Sequence, residues 1–134
     1  MTLPATLPLR QSAEAHAVMH TQLQELALAA CWRFGVVTDA SGNPFVAVGD
    51  VAMARAAAPF APLIAGGHRG ATAPVASERV QTWLADVPPD HLRARSLQAG
   101  DQTWYLLCAA TPTPAREAAL FRAASTLRRV LGHR

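Results

Sequence analysis

The first third of the chain changes from a helical to a strand-like pattern of apolar residues. Over 12–30 apolar residues recur at steps of three and four, which predicts an amphipathic helix with Ser12 as its N-cap. Apolar, β-rich residues then fill 32–38 and 44–49 on either side of the turn Asp39-Ala-Ser-Gly-Asn43. Glycine and asparagine adopt positive φ at low cost, and an aspartate side chain accepts hydrogen bonds from the backbone that follows it. The pattern therefore predicts a helix and then a β-hairpin, whose first strand is central because both of its faces become apolar.

The middle of the chain is rich in alanine and is interrupted by prolines and glycines. Asp50 is expected to cap a short helix over 51–57, since its carboxylate can accept hydrogen bonds from the first backbone N–H groups. Pro59 and Pro62 each remove a backbone donor, so the helix is expected to break and to restart near Pro59. Residues 79–85 are interpreted as an edge strand, although the same residues also fit an extension of the helix.

The last third of the chain predicts a second hairpin and a closing helix. Strands are predicted over 92–97 and 103–109 around the turn 98–102, and the second of them is apolar on both faces and therefore central. A helix is predicted to begin after Thr113 as N-cap and to end at Gly132. Its apolar stripe consists of Leu120, Phe121, Ala124, Leu127, Val130 and Leu131.

Length and charge limit the classes of protein. With 134 residues, the chain is expected to form one domain over 12–134, preceded by an extended leader over 1–11. The basic residues are all arginine and are scattered, whereas nucleic-acid interfaces concentrate charge on one face, so nucleic-acid binding is only a minor hypothesis. The leader lacks a positive segment, and no apolar run approaches the ~20 residues that span a bilayer, which favours a cytoplasmic protein without a membrane partner.

Candidate catalytic and metal-binding residues form no known motif in the sequence. His16 and His20 have a spacing that can bind a metal, but no cysteine or carboxylate ligand accompanies them, so a solvated helix face is preferred. The glycine-rich run 66–70 lacks the Gly-Lys-Ser/Thr ending of a phosphate-binding loop. Cys31 and Cys108 lie in apolar, strand-like runs and are interpreted as buried thiols rather than a redox pair. We therefore expect no enzyme activity, no cofactor and no metal.

Three segments carry a resemblance to a known family: the hairpin 34–47, the small-residue helix 63–73, and the closing hairpin together with the helix 120–131. A hydrophobic strand that ends in an Asp-x-x-Gly turn, followed by these two helices, resembles the Roadblock (dynein light chain) family, and specifically its bacterial MglB-type members. The resemblance covers about 15–131. It implies an α+β sandwich of profilin-like type with the order α-β-β-α-β-β-β-α, in which one antiparallel sheet of about five strands carries helices on both faces.

The resemblance also implies a homodimer that regulates or scaffolds a partner without being an enzyme. Family members typically pair through the second helix and an edge strand, and MglB-type members act as GTPase-activating partners of a small Ras-like GTPase of MglA type. The residues expected at the dimer or partner surface are Phe60, Leu63, Ile64, Gly67, His68, Arg69, Gly70, Trp83, Arg93 and Arg95. The alternative function is a GAF-like sensor that holds a small molecule between the sheet and the helices.

Overall fold

The computed structural model of the protein describes residues 9–67, 87–99 and 101–131. In chain order the elements are α1 (Leu9–Ala29), β1 (Phe34–Thr38), β2 (Pro44–Gly49), α2 (Val51–Ala57), a 3₁₀ turn (Ala58–Phe60), α3 (Ala61–Gly67), a second 3₁₀ turn (Pro89–His91), β3 (Leu92–Ala99), β4 (Gln102–Ala109) and α4 (Pro114–Leu131). Both predicted hairpins are therefore present, together with the predicted first helix, short middle helix and closing helix.

The strands form one antiparallel sheet in the order β2-β1-β4-β3. β1 pairs on both sides, so that Val36 lies opposite Ala47 of β2 and opposite Leu107 of β4. Every residue of β1 is buried, as predicted for a central strand. In the part of the chain that the structure describes, β2 and β3 form the two edges of the sheet. The α+β class with one antiparallel sheet is confirmed, whereas the predicted fifth strand, 79–85, falls outside the described residues.

Helices cover both faces of the sheet, and the two faces differ in the size of their buried side chains. Between the sheet and the helices α1 and α4 the core is built from large aliphatic residues such as Met19, Leu23, Val37, Val48, Leu106, Leu120 and Leu127. On the other face, α2, the 3₁₀ turn after it and α3 contribute the small residues Ala54, Ala57, Ala58 and Ala61. Because the hydrophobic free energy grows with the apolar area removed from water, the first face contributes more of the stability that comes from the described residues.

The turn between β1 and β2 is held by the side chain of Asp39. Its Oδ1 accepts hydrogen bonds from the backbone N–H groups of Ser41 (2.9 Å) and Asn43 (3.0 Å), and its Oδ2 accepts one from Asn43 Nδ2 (3.1 Å). Gly42 has a φ of 89°, a positive value that glycine adopts at little cost because it has no Cβ. Partial burial alone would raise the pKa of the Asp39 carboxyl, but the hydrogen bonds from Asn43, Ser41 and Gly42 outweigh burial and hold this pKa below its ordinary value.

Two helices begin at the residues predicted to cap them. The backbone N–H of Met53 donates to Asp50 Oδ1 at 3.1 Å, and the backbone N–H of Arg116 donates to Thr113 Oγ1 at 3.1 Å. The helix that follows Asp50 tightens to a 3₁₀ turn around Pro59 and then continues as α3. The expected break and restart are therefore confirmed, since a proline cannot donate to the preceding turn.

The first helix begins earlier than predicted. α1 starts at Leu9 rather than after Ser12, so residues 9–11 of the predicted leader are helical and Ser12 is an internal helical residue. Leucine, arginine and glutamine are better helix formers than serine, which explains why the helix extends past the expected cap. Residues 1–8 of the predicted leader lie outside the described part of the chain.

Two further details differ from the sequence-based expectation. Cys31 does not belong to a strand: it lies in the turn between α1 and β1 with a φ of 57° and is exposed, so it is not a buried thiol. β3 continues to Ala99 and β4 begins at Gln102, which makes the connection between them shorter than the predicted turn 98–102. The cross-strand hydrogen bond from Gln98 Nε2 to Thr103 Oγ1 (2.8 Å) shows that both flanking residues belong to the ladder.

Candidate interaction surfaces

Part of the predicted dimer surface lies on the helical stretch that covers the small-residue face of the sheet. Phe60 ends the 3₁₀ turn and Ile64 lies in α3; both pack against the buried cluster of this face and both remain half-buried. Leu63 and Gly67 also belong to α3. The other predicted surface residues of this region, His68, Arg69, Gly70 and Trp83, fall outside the described residues.

Arg93 and Arg95 lie on the opposite face of the sheet from Phe60 and Ile64. They alternate along β3 with Leu92 and Ala94, which point to the small-residue face. Arg93 Nε lies 3.4 Å from Glu117 Oε1 of α4, and the Arg95 guanidinium lies 5.8 Å from the centre of the Phe121 ring. α4 lies beside these two side chains, which remain half-buried and partly open to solvent.

Phe121 is the residue whose environment the sequence pattern misjudged most. It was predicted to belong to the buried stripe of the closing helix, yet 58 % of its surface is exposed, whereas its neighbour Leu120 is fully buried. Consecutive residues of a helix point about 100° apart, so Leu120 and Phe121 cannot both face the centre of the core. The helical angle was the signal in the sequence that separates them.

Phe121 borders a groove between α1 and α4. The groove has a volume of about 480 Å³ and is lined by Gln22, Glu25, Leu26, Ala29, Phe121, Arg122, Ser125, Thr126 and Arg129. Sequence reasoning did not identify these residues as a group, because the two helices that supply them lie at opposite ends of the chain.

The two histidines of α1 take part in a row of aromatic side chains. His16 and His20 stack with their ring centres 6.2 Å apart, and the ring of His16 meets Phe45 edge-on at 5.5 Å. Phe45 in turn contacts Trp104 at 5.4 Å. Within the described ranges no three histidine, cysteine or acidic side chains come together in a way that could hold a metal ion.

The two cysteines occupy different environments. Cys31 is exposed, whereas Cys108 is buried in β4 as predicted; both are free thiols. Burial raises the pKa of the Cys108 thiol to about 12, and the nearby positive charge of Arg116 offsets only part of this effect. Cys108 therefore stays protonated near neutral pH and does not act as a nucleophile there.

The described elements define an α+β protein whose antiparallel sheet is covered by helices on both faces. No protein-family model, curated protein or solved structure matches the chain. No helix among the described residues is long and apolar enough to cross a membrane.

Proposed function

We propose that this protein is a homodimeric regulator or scaffold of Roadblock type that acts in the cytoplasm, has no enzyme activity of its own and binds a small Ras-like GTPase of MglA type. The observation that carries the proposal is the strand order β2-β1-β4-β3 with helices on both faces of the sheet. Two hairpins are joined through their inner strands, and a helical stretch lies between them in the chain. This arrangement supports the proposal that the chain is of Roadblock type, since members of that family regulate such GTPases.

The helix α3 and the strand β3 support the homodimer. The side chains of Phe60 and Ile64 each pack partly against the buried cluster on this face of the sheet, and the remaining apolar part of each is exposed. β3 is an eight-residue strand at the edge of the sheet in the described part of the chain, and an edge strand of this length favours pairing with a further strand, which a second copy can supply. A second copy that packs on α3 and beside β3 would cover both features at once.

The first experiment measures binding to the host's MglA-type GTPase, loaded in turn with GDP and with a non-hydrolysable GTP analogue. We expect preferential binding to the GTP form by a dimer of this protein, and a hydrolysis assay then separates an activator from a passive scaffold. Binding to neither form would contradict the GTPase proposal. A thermal-shift screen with small molecules then tests the sensor alternative.

The dimer is tested separately with Gly67→Phe, at the last residue of α3. A bulky side chain at a site of close approach between two copies should shift the mass in light scattering toward the monomer. The matched control is Ala118→Phe, an exposed small residue of α4 on the other face of the sheet. Circular dichroism establishes that both variants are folded. A dimer that persists unchanged in folded Gly67→Phe would contradict the placement of the interface on α3.

A further inference from the structure

The groove between α1 and α4 has an apolar centre. Phe121 is 58 % exposed there, and the half-buried Leu26 lies across from it on α1. Two of the polar side chains that line the groove pair with each other, because Thr126 Oγ1 donates to Gln22 Oε1 at 3.3 Å. A ligand in the groove can therefore pack on the apolar surface of Phe121 and Leu26 without breaking that hydrogen bond.

The rim of the groove is positively charged. Arg122 and Arg129 are exposed on α4, and Glu25 of α1 is the one carboxylate among the lining residues. A third guanidinium, that of Arg95, lies over the Phe121 ring. From residue 118 to residue 131 the sequence of α4 contains no acidic residue, so the charge of this helix surface is not neutralised along the helix itself.

We propose that this groove binds an acidic amphipathic segment of a partner protein. An apolar side chain of that segment packs on Phe121 and Leu26, while its carboxylates face Arg122 and Arg129. Arginine suits this role, because its planar guanidinium binds a carboxylate through two parallel hydrogen bonds. An amphipathic helix laid in a groove between two helices is a common mode of peptide recognition.

This surface is distinct from the one proposed for the dimer. The groove lies on the face of the sheet that α1 and α4 cover, whereas Phe60 and Ile64 lie on the face that α2 and α3 cover. The peptide experiment below uses no GTPase. Its failure would leave the proposed function untouched, and failure of GTPase binding would leave this proposal standing.

The test uses the full chain and a pair of short helical peptides, one built from glutamate and leucine and the other from lysine and leucine. We expect the glutamate peptide to bind about tenfold more tightly than the lysine peptide in fluorescence anisotropy. The double reversal Arg122→Glu/Arg129→Glu should invert this preference. The control Arg55→Glu/Arg128→Glu changes the net charge equally, but its exposed residues do not line the groove, so the preference should persist.

The apolar anchor is tested with Phe121→Ser, which should weaken the glutamate peptide by about tenfold. The matched control is Leu28→Ser, since Leu28 is even more exposed, at 72 %, and lies outside the groove lining. Equal affinity for both peptides would overturn the proposal, as would inversion of the preference by the control pair. Backbone amide shifts that map the peptide away from α1 and α4 would also overturn it. A self-association that Phe121→Ser abolishes would instead identify a second copy as the occupant and refute the proposed partner.

Discussion

Arg116 is expected to be the charged residue whose loss destabilises the described fold most. Only 7 % of the residue is exposed, and its guanidinium joins three segments of the chain. Nη1 donates to the backbone carbonyl oxygens of Asp90 (2.8 Å) and Ala110 (3.3 Å), while Nε and Nη2 contact Glu117 Oε2 at 2.8 and 2.7 Å. The substitution Arg116→Met keeps the apolar part of the side chain and removes every one of these donors.

The expected loss in free energy of unfolding depends on whether the former partners of the Arg116 guanidinium are left buried or can be hydrated. A hydrogen bond from a charged donor contributes about 1.5–3 kcal/mol, and the 3.3 Å bond to Ala110 belongs at the low end. The side chain of Glu117 is 45 % exposed, so its carboxylate can be rehydrated and its ion pair contributes only about 0–1 kcal/mol. Burying the charged guanidinium of Arg116 costs desolvation free energy, and the uncharged methionine of the variant does not have this cost, which offsets part of the loss. We therefore expect Arg116→Met to lower the free energy of unfolding by about 2–4 kcal/mol.

Urea unfolding followed by circular dichroism measures this loss. For a domain of this size the denaturation midpoint should fall by about 1–2 M with an unchanged slope. Arg116→Lys retains one charged donor and should be intermediate. The control Arg128→Met changes an exposed residue of the same helix and should cost no more than about 0.5 kcal/mol. Equal midpoints for Arg116→Met and Arg128→Met would refute the reasoning.

Three further predictions concern a glycine and the two thiols. Gly49→Ala should destabilise the protein by about 2–3 kcal/mol in urea unfolding, because φ is 77° and the added Cβ would lie 2.5 Å from the carbonyl oxygen of Arg33. A thiol reagent should modify Cys31 in the native protein and Cys108 only after unfolding, since the one is exposed and the other buried. The pKa of Cys108 is raised from 9.0 to about 12 by folding, so its contribution to stability is complete below pH 9 and is lost as the pH rises toward 12. Cys108→Ala should flatten this alkaline decline, and an identical decline in the variant would contradict it.

The elements that the sequence predicted well are those fixed by contacts within a few residues. Asp39 binds the backbone of its own turn, and Asp50 and Thr113 each accept from an N–H three residues later. Such side-chain-to-backbone contacts depend only on residue type and spacing, so they can be read before the fold is known. The bounds of β2 and the beginning of α4 were accordingly predicted correctly.

Apart from the shifted ends of α1, β3 and β4, the errors concern burial, which depends largely on what distant segments cover. Phe121 is apolar and lies in a helical stripe, yet α4 turns it toward the groove rather than toward the core. Arg93 and Arg95 of β3 lie against α4, a contact between elements that β4 separates in the chain. The groove itself depends on residues as far apart as Gln22 and Thr126. The helical angle separates Phe121 from Leu120, but no local pattern shows that α1 packs beside α4 and forms the groove.

The separation of the two proposed surfaces by the sheet leads to a final prediction. α3 and α4 lie on opposite sides of β3, and layers of secondary structure pack roughly 10 Å apart, which places the helices roughly 20 Å from each other. Substitutions more than about 10 Å apart, with no shared partners, usually act additively to within about 0.5 kcal/mol. Gly67→Phe should therefore weaken the dimer without changing the affinity for the glutamate peptide. Phe121→Ser should weaken binding of the glutamate peptide without changing the dimer. A double-mutant cycle that combines light scattering and peptide anisotropy measures the coupling. Coupling well above that limit would mean that the sheet transmits a change from one surface to the other, and the two surfaces would then act as one site.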